Sequence, residues 1–271
     1  VWGMVDVWPL LVEEDVDILC RQRGAHDGWE RMVDDHTARL QVYMKASSES
    51  PIKAVMAMCE LPTHTAQDAF DAITRLEKYR RWDRTWHLVQ PIGDPLDAFN
   101  AAYYFIADSP PPPYSYLIVA RDFVMLRFTY RDPYAGINVD VLRNACHRAK
   151  PADPVYIRGE TLSCVGFMVT PVEPPAVLSA EAAAHALHAG GAQVTLMTAA
   201  DPKGSIPSYL INFVAKRTPR MWADRLAAAC TLFEKEAREA AVAPALGEGS
   251  KPAATAVAAA SGKSSFWRRF V

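Results

Sequence analysis

The sequence lacks the features that would place it in several large functional classes. Its 271 residues include five cysteines, Cys20, Cys59, Cys146, Cys164 and Cys230, and no two stand at CxxC spacing. A disulfide-stapled module or a zinc ribbon is therefore not indicated, and we expect reduced, mostly buried thiols. There is no Gly-rich phosphate loop, no GxSxG elbow and no HExxH helix, so the common signatures of nucleotide binding and hydrolysis are missing. No apolar run approaches the ~18 residues that a membrane span requires. Asp6, Glu13, Glu14 and Asp15 interrupt the only stretch resembling a signal peptide. An excess of positive charge is absent too. Lys and Arg number 29 against 31 Asp and Glu, for a formal net charge of −2, which argues against a nucleic-acid partner. The chain starts at Val1 without an initiator methionine, which leaves room for residues upstream.

Histidine offers little. Of seven, only His185 and His188 stand at a ligand-like spacing, and they lie in an Ala-rich stretch with few co-ligands. A solvated surface fits them better than a metal site, and no metal or cofactor is expected. Cys164 on a predicted strand has nothing local to lower its pKa, so it reads as a core thiol. The balance shifts from catalysis toward binding.

What is present is an ordinary globular composition, 50% hydrophobic and 22% charged. We expect one domain over residues 1–242. Residues 243–271 form a low-complexity tail of Ala, Ser, Gly, Lys and Pro, too poor in apolar surface to fold. The tail ends in Phe266-Trp267-Arg268-Arg269-Phe270-Val271. That string suits a bilayer interface or a partner groove, and equally a terminus without a role.

The periodicity predicts a first helix over 10–23, then an extended stretch from Gly28-Trp29. Leu40, Val42 and Met44 alternate with polar neighbours, and 52–61 reads as the third strand of a meander. Thr65 is an N-cap for a helix through Leu76. Beyond Trp82 the period is two, with strands at 84–92, 98–107, 122–131, 137–147, 155–170 and 193–200. Pro110–Pro113 puts 108–120 in a loop, and 174–192 is a second long, solvated connection. Leu210, Phe213, Val214, Trp222, Leu226, Ala229 and Phe233 recur at helical spacing. Thr218-Pro219 predicts a kink between a short helix and a long one over about 219–241. Strands flanked by helices define an α+β class with a mostly antiparallel sheet.

Several local strings, in this order, resemble the START (StAR-related lipid transfer) family. They are Gly28-Trp29, Tyr79-Arg80-Arg81-Trp82-Asp83, Arg121-Asp122-Phe123-Val124, Tyr156-Ile157-Arg158-Gly159-Glu160, and Asp201–Pro207 followed by Leu210-Ile211-Asn212. The stretch 206–230 is closest to the phosphatidylcholine-transfer member of that family. The resemblance implies a helix-grip START fold, a curved antiparallel sheet wrapped around a long C-terminal helix with an internal hydrophobic cavity. It implies a monomer that carries one lipid and performs no chemistry on it. Its partners would be the lipid and, transiently, a membrane surface, with the cytoplasm as its compartment. A two-chain lipid exposes roughly thirty methylenes at ~0.8 kcal/mol each on entering water. The barrier to unassisted desorption is then on the order of 20 kcal/mol, and a carrier would remove it.

On this reading Leu210, Phe213 and Val214 roof the cavity, and Tyr104, Phe123, Met125, Leu162 and Phe167 wall it. The alternative is that these side chains simply fill the core. Tyr114, Tyr116, Leu117 and Ile118 in the 108–120 loop would gate the cavity and touch the membrane, or else lie permanently on the sheet. Arg127 matches the family position where an arginine points inward. Sterol-binding relatives pair that arginine with an acid on the preceding strand, where Phe105 stands here, with Asp108 as a distant substitute. Arg80 and Asp83 resemble a lipid-phosphate contact, and Tyr104 and Phe123 keep two rings of a choline cage whose third position is Leu162. A glycerophospholipid is therefore expected, with a sterol or another acyl lipid as the alternative, and Arg127→Leu should keep the fold while changing the lipid retained. Two other classes stay open: a lipid-sensing module of a larger protein, and an enzyme on a related hollow scaffold.

Overall fold

A computed structural model describes residues 28–47, 50–96, 99–109, 119–132, 136–162, 165–172 and 190–242. The expectations placed on 10–23, on the gate residues Tyr114, Tyr116, Leu117 and Ile118, on Cys164, on His185 and His188, and on the tail beyond 242 lie outside them.

Gly28 takes a φ of 76°, which favours glycine, and turns the chain into β1 (Trp29–Asp35). With β2 (Leu40–Lys45) and β3 (Ala54–Leu61) it forms the expected antiparallel meander. Alternate residues Leu40, Val42, Met44 and Val55, Ala57, Cys59, Leu61 enter one core. The Thr65 side chain then caps α1 (Ala66–Thr74) by accepting the Asp68 N–H. The helix expected to reach Leu76 stops earlier, because Arg75 is extended (φ −77°, ψ 114°). A second helix, α2 (Leu76–Trp82), follows, and the Trp82 indole donates to the Ala72 carbonyl at 2.9 Å, binding the two together.

The strands β4 (Trp86–Pro91), β5 (Asn100–Ala107), β6 (Arg121–Asp132) and β7 (Ile137–Asn144) come close to their predicted ranges. The single strand expected over 155–170 is instead three pieces: β8 (Ile157–Arg158), β9 (Glu160–Thr161) and β10 (Val165–Pro171). Gly159 sits between the first two. A Cβ there would stand 2.2 Å from the Phe123 ring, so only glycine lets the chain pass this close to the sheet. After β11 (Ala192–Thr198) and β12 (Ala200–Asp201), the chain enters α3 (Ser208–Val242).

The main sheet runs β1-β2-β3-β11-β10-β7-β6-β5-β4, antiparallel along this path, with β8 added in parallel to the start of β6 and β9 paired with β12. It is open, with β1 and β4 at its edges. The predicted kink does not divide α3: one helix runs through the buried Pro219. Proline removes one main-chain bond there, and the Thr218 hydroxyl donates to the Val214 carbonyl at 3.0 Å.

One face of the sheet meets α1, α2 and α3 around the largest core, which includes Phe70, Trp82, Phe105, Phe123, Met125, Phe167, Trp222 and Leu226. The other face carries apolar clusters of its own, one around Val139, Val141 and Met168 and one around Tyr104, Val124 and Leu126. Apolar side chains on both faces explain why alternation in β5–β7 does not tell inside from outside.

Candidate functional site

The inner face of β6 presents Phe123, Met125, Arg127 and Thr129 in alternation, and β10 adds Phe167 and Val169. Rings interlock across this space. Trp86 lies 5.1 Å from Phe105 and 5.7 Å from Phe123, while Phe167 stacks on Trp222 at 5.4 Å and Trp222 meets Trp82 at 5.7 Å. The expected wall residues Phe123, Met125 and Phe167 are therefore brought together, and they touch neighbours as core residues do.

A polar strip is embedded in this apolar surround. Arg127, 8% exposed, donates from Nε to Asp140 Oδ1 at 2.7 Å and from Nη2 to Oδ2 at 3.1 Å. Nη2 also reaches the Ile73 carbonyl at 3.3 Å, and the Thr129 hydroxyl donates to Asp140 Oδ1 at 2.7 Å. The Tyr103 ring lies 5.5 Å from the guanidinium carbon. Burial alone would lower the Arg127 pKa, but the Asp140 carboxylate more than offsets this, and the group stays charged. Beside it the Tyr79 hydroxyl donates to Asp83 Oδ2 at 2.7 Å and accepts from the Trp86 indole at 3.0 Å, while the Thr85 N–H donates to Asp83 Oδ1. Burial, then the neighbouring Asp83 charge, pushes the Tyr79 hydroxyl well above its usual range.

Several expectations are corrected by this geometry. The position opposite Arg127 on β5 is Ala101, not Phe105, which pairs with Phe123. The acid that Arg127 needs comes from the following strand, as Asp140. Asp108 is exposed and pairs instead with His87 at 3.3 Å. Tyr104 does not wall the interior. It points to the opposite face, where its hydroxyl donates to the fully buried Asp122 at 3.0 Å. Arg158 grips the same carboxylate at 2.9 and 2.8 Å, and Tyr103 is the tyrosine that faces inward. Leu162 is 39% exposed just after β9, so it completes no ring cage. Arg80 is exposed on α2, one position round from the inward Tyr79, and has no contact with the strip. Asp83, expected beside Arg80 at a lipid phosphate, is buried and is held by the Tyr79 hydroxyl and the Thr85 N–H.

The roof differs as well. Leu210 is half-buried, while Phe213 and Val214 are 48% and 47% exposed. The helix is seated on the sheet by Trp222, Ala223, Leu226, Ala229, Cys230 and Phe233, further along. A pocket of about 280 Å³ lies where α3 crosses β1 and β2. Cys59 and Cys230 are buried, and burial pushes both thiols up to about 12.

Sequence reading missed Asp140, Tyr103, Trp86 and Trp222. Asp140 stands between Val139 and Val141, a pattern that reads as one polar residue facing water. What turns it inward is its antiparallel pairing with Thr129, two residues from Arg127 on the same face, a register that only the folded sheet shows.

An open antiparallel sheet closed by a long helix over an aromatic interior with one neutralised polar strip defines a helix-grip ligand-binding domain. A family model described as the START domain matches residues 11–236, and the chain belongs to that family. The crystal structure of human STARD10 superposes with a TM-score of 0.69 at 16% identity, over 85% of this chain and 84% of that one. Human StAR-related lipid transfer protein 5 gives 0.69 at 17% identity, over 83% and 97%. The human StarD13 (DLC2) lipid transfer and protein localization domain gives 0.57 at 18%, over 78% and 95%. At these identities the likeness shows the fold. No curated protein matches the sequence.

Proposed function

We propose that this chain binds one lipid between the inner face of its sheet and α3, and moves it between membranes without altering it. The observation that carries this is the inner face itself, where Phe105, Phe123, Met125 and Phe167 surround a polar strip that is already neutral. Membership of a family whose structural relatives include a lipid transfer protein supports it. The rings now in mutual contact would part to receive hydrocarbon, so that bilayer contacts are exchanged for protein contacts at little net cost. The lipid, on this reading, is the cargo, and the chain acts as a cytoplasmic monomer that touches membranes transiently. No helix among the described residues is long and apolar enough to cross a membrane. Enzymatic action is not part of the proposal; the buried thiols of Cys59 and Cys230, pushed up to about 12, are poor nucleophiles at neutral pH.

The Arg127–Asp140 pair bears on the headgroup. A phosphate entering the strip would meet a guanidinium already held by a carboxylate, beside a second buried carboxylate at Asp83. Charge repulsion and desolvation both disfavour an anion there. A hydroxyl can share such groups without adding charge. This favours a sterol or another acyl lipid with an uncharged polar end over the glycerophospholipid that Arg80 and Arg127 led us to expect. The closeness of 206–230 to the phosphatidylcholine-transfer member is the argument on the other side.

Native mass spectrometry of the full chain incubated with lipid extract, followed by vesicle-to-vesicle transfer of fluorescent sterol and phosphatidylcholine, tests the proposal. One lipid retained per chain and transfer of the sterol are expected. A folded sample that retains none and transfers neither overturns the carrier reading, and transfer of phosphatidylcholine alone overturns the headgroup reading.

A further inference from the structure

β5 carries two adjacent tyrosines, which strand alternation sends to opposite faces of the sheet. Tyr104 spends its hydroxyl on Asp122, on the outer face. Tyr103 packs against the interior core, opposite Met125 on β6 and Pro91 on β4. Its ring has two fixed neighbours, Phe105 at 6.2 Å and the Arg127 guanidinium carbon at 5.5 Å. Its hydroxyl has none. Among the described residues nothing donates to that oxygen or accepts from it, which makes it the exception in the polar strip. The Arg127 and Thr129 donors are spent on Asp140, the Tyr79 hydroxyl on Asp83, and the Trp86 indole on Tyr79. Tyr103 is only half-buried and its oxygen keeps accessible surface, so a ligand lying on the inner face can reach it.

A phenolic hydroxyl offers one donor and two acceptor sites, and burying them unmet is costly. Hydrocarbon laid over Tyr103 would do that, so cargo that brings its own partner for the oxygen is favoured. The partner must be uncharged, because the Asp83 and Asp140 carboxylates stand in the same strip. An ester carbonyl can only accept, whereas a lipid hydroxyl can bond Tyr103 in either direction. We infer that Tyr103 is the residue that reads the polar end of the cargo, its hydroxyl bonded to the hydroxyl of a sterol whose rings lie among Phe105, Phe123 and Met125. The inference rests on the carrier reading and adds to it the group that sets specificity.

Loading the full chain from phosphatidylcholine vesicles that hold equimolar cholesterol and cholestene, its analogue without the hydroxyl, tests it. Mass spectrometry of the extracted complex gives the ratio of the two. Their escape from the vesicle is common to every variant, so a change in ratio reports the protein alone. The unaltered chain should favour cholesterol. Tyr103→Phe should lower that preference roughly tenfold, the worth of one hydrogen bond, and leave the Tm unchanged because no bond within the protein is lost. Tyr104→Phe is the control: it removes the bond to Asp122, so it should lower the Tm and leave the ratio as it was. An unaltered ratio in Tyr103→Phe, or a fall in its Tm as large as that of Tyr104→Phe, overturns the inference. So does equal retention of the two lipids by the unaltered chain, with the carrier reading left standing. Retention of phosphatidylcholine alone overturns it together with the headgroup reading. A folded chain that retains none of the three removes the carrier reading itself.

Discussion

Arg127 and Asp140 are 8% and 1% exposed, and each has given up its hydration for the other. Removing one partner leaves the survivor desolvated and unpaired, which costs more than removing both. Asp140→Ala or Arg127→Leu should therefore lower unfolding stability by about 3–5 kcal/mol. The double change Arg127→Met/Asp140→Leu should recover most of that loss. Urea unfolding at constant m-value measures all three. A loss below about 1 kcal/mol in either single variant would mean that water, not the partner, satisfies the pair. This replaces the expectation that Arg127→Leu leaves the fold untouched. That expectation treated the arginine as a lone charge awaiting a lipid, because its acid stands on the next strand and not the preceding one.

α3 divides energetically at Met221, and the two halves predict opposite mutant behaviour. Trp222 stacks on Phe167 and meets Trp82, so Trp222→Ala should cost about 3–5 kcal/mol, read as a drop in urea midpoint. Tyr209 and Phe213 are 75% and 48% exposed, so Phe213→Ala should change stability by less than about 0.5 kcal/mol. Binding to anionic vesicles, measured by co-sedimentation, should nevertheless fall, because Phe213 and Arg217 form an aromatic and basic surface of the kind that enters a bilayer interface. Unchanged co-sedimentation would remove this half of the helix from membrane contact. The helix itself was legible from Leu226, Ala229 and Phe233 at helical spacing, as were the meander and the Thr65 cap, because each signal is local. Its seating was not. Leu210, Phe213 and Val214 share the apolar spacing of the buried half, and only the position of the sheet decides which residues find a surface. The same holds for Tyr103 and Tyr104, adjacent tyrosines on a strand with apolar neighbours on both faces. Pro219 misled in the other direction, since a buried proline flanked by a back-bonding threonine can continue a helix that packing already holds.

At the scale of the whole molecule, the interior is built to exclude ionised acids other than its paired carboxylates, and this sets how the fold responds to alkali. Burial raises the Cys59 and Cys230 thiols from 9.0 to about 12, and burial with the Asp83 charge raises the Tyr79 hydroxyl well above 10. Each group is neutral when protonated, and its folded-state pKa lies above its unfolded value. Below pH 9 both states keep the thiol protons, so stability does not depend on these groups. From pH 9 upward the unfolded chain releases protons that the folded chain retains, and each thiol then removes about 1.4 kcal/mol per pH unit until about pH 12. Two thiols, with Tyr79 joining above pH 10, can exhaust the ~5–15 kcal/mol that holds a typical domain together. Thermal unfolding should show a flat Tm between pH 7 and 8.5 and a steep fall beyond 9. In Cys59→Ala/Cys230→Ala the Tm at neutral pH should drop modestly from lost packing, while the alkaline slope becomes shallower as two of the proton-retaining groups disappear and the tyrosines Tyr79 and Tyr104 remain. An identical slope in the variant would mean that both thiols ionise in the folded state as they do in water, and that the core around them is open to solvent.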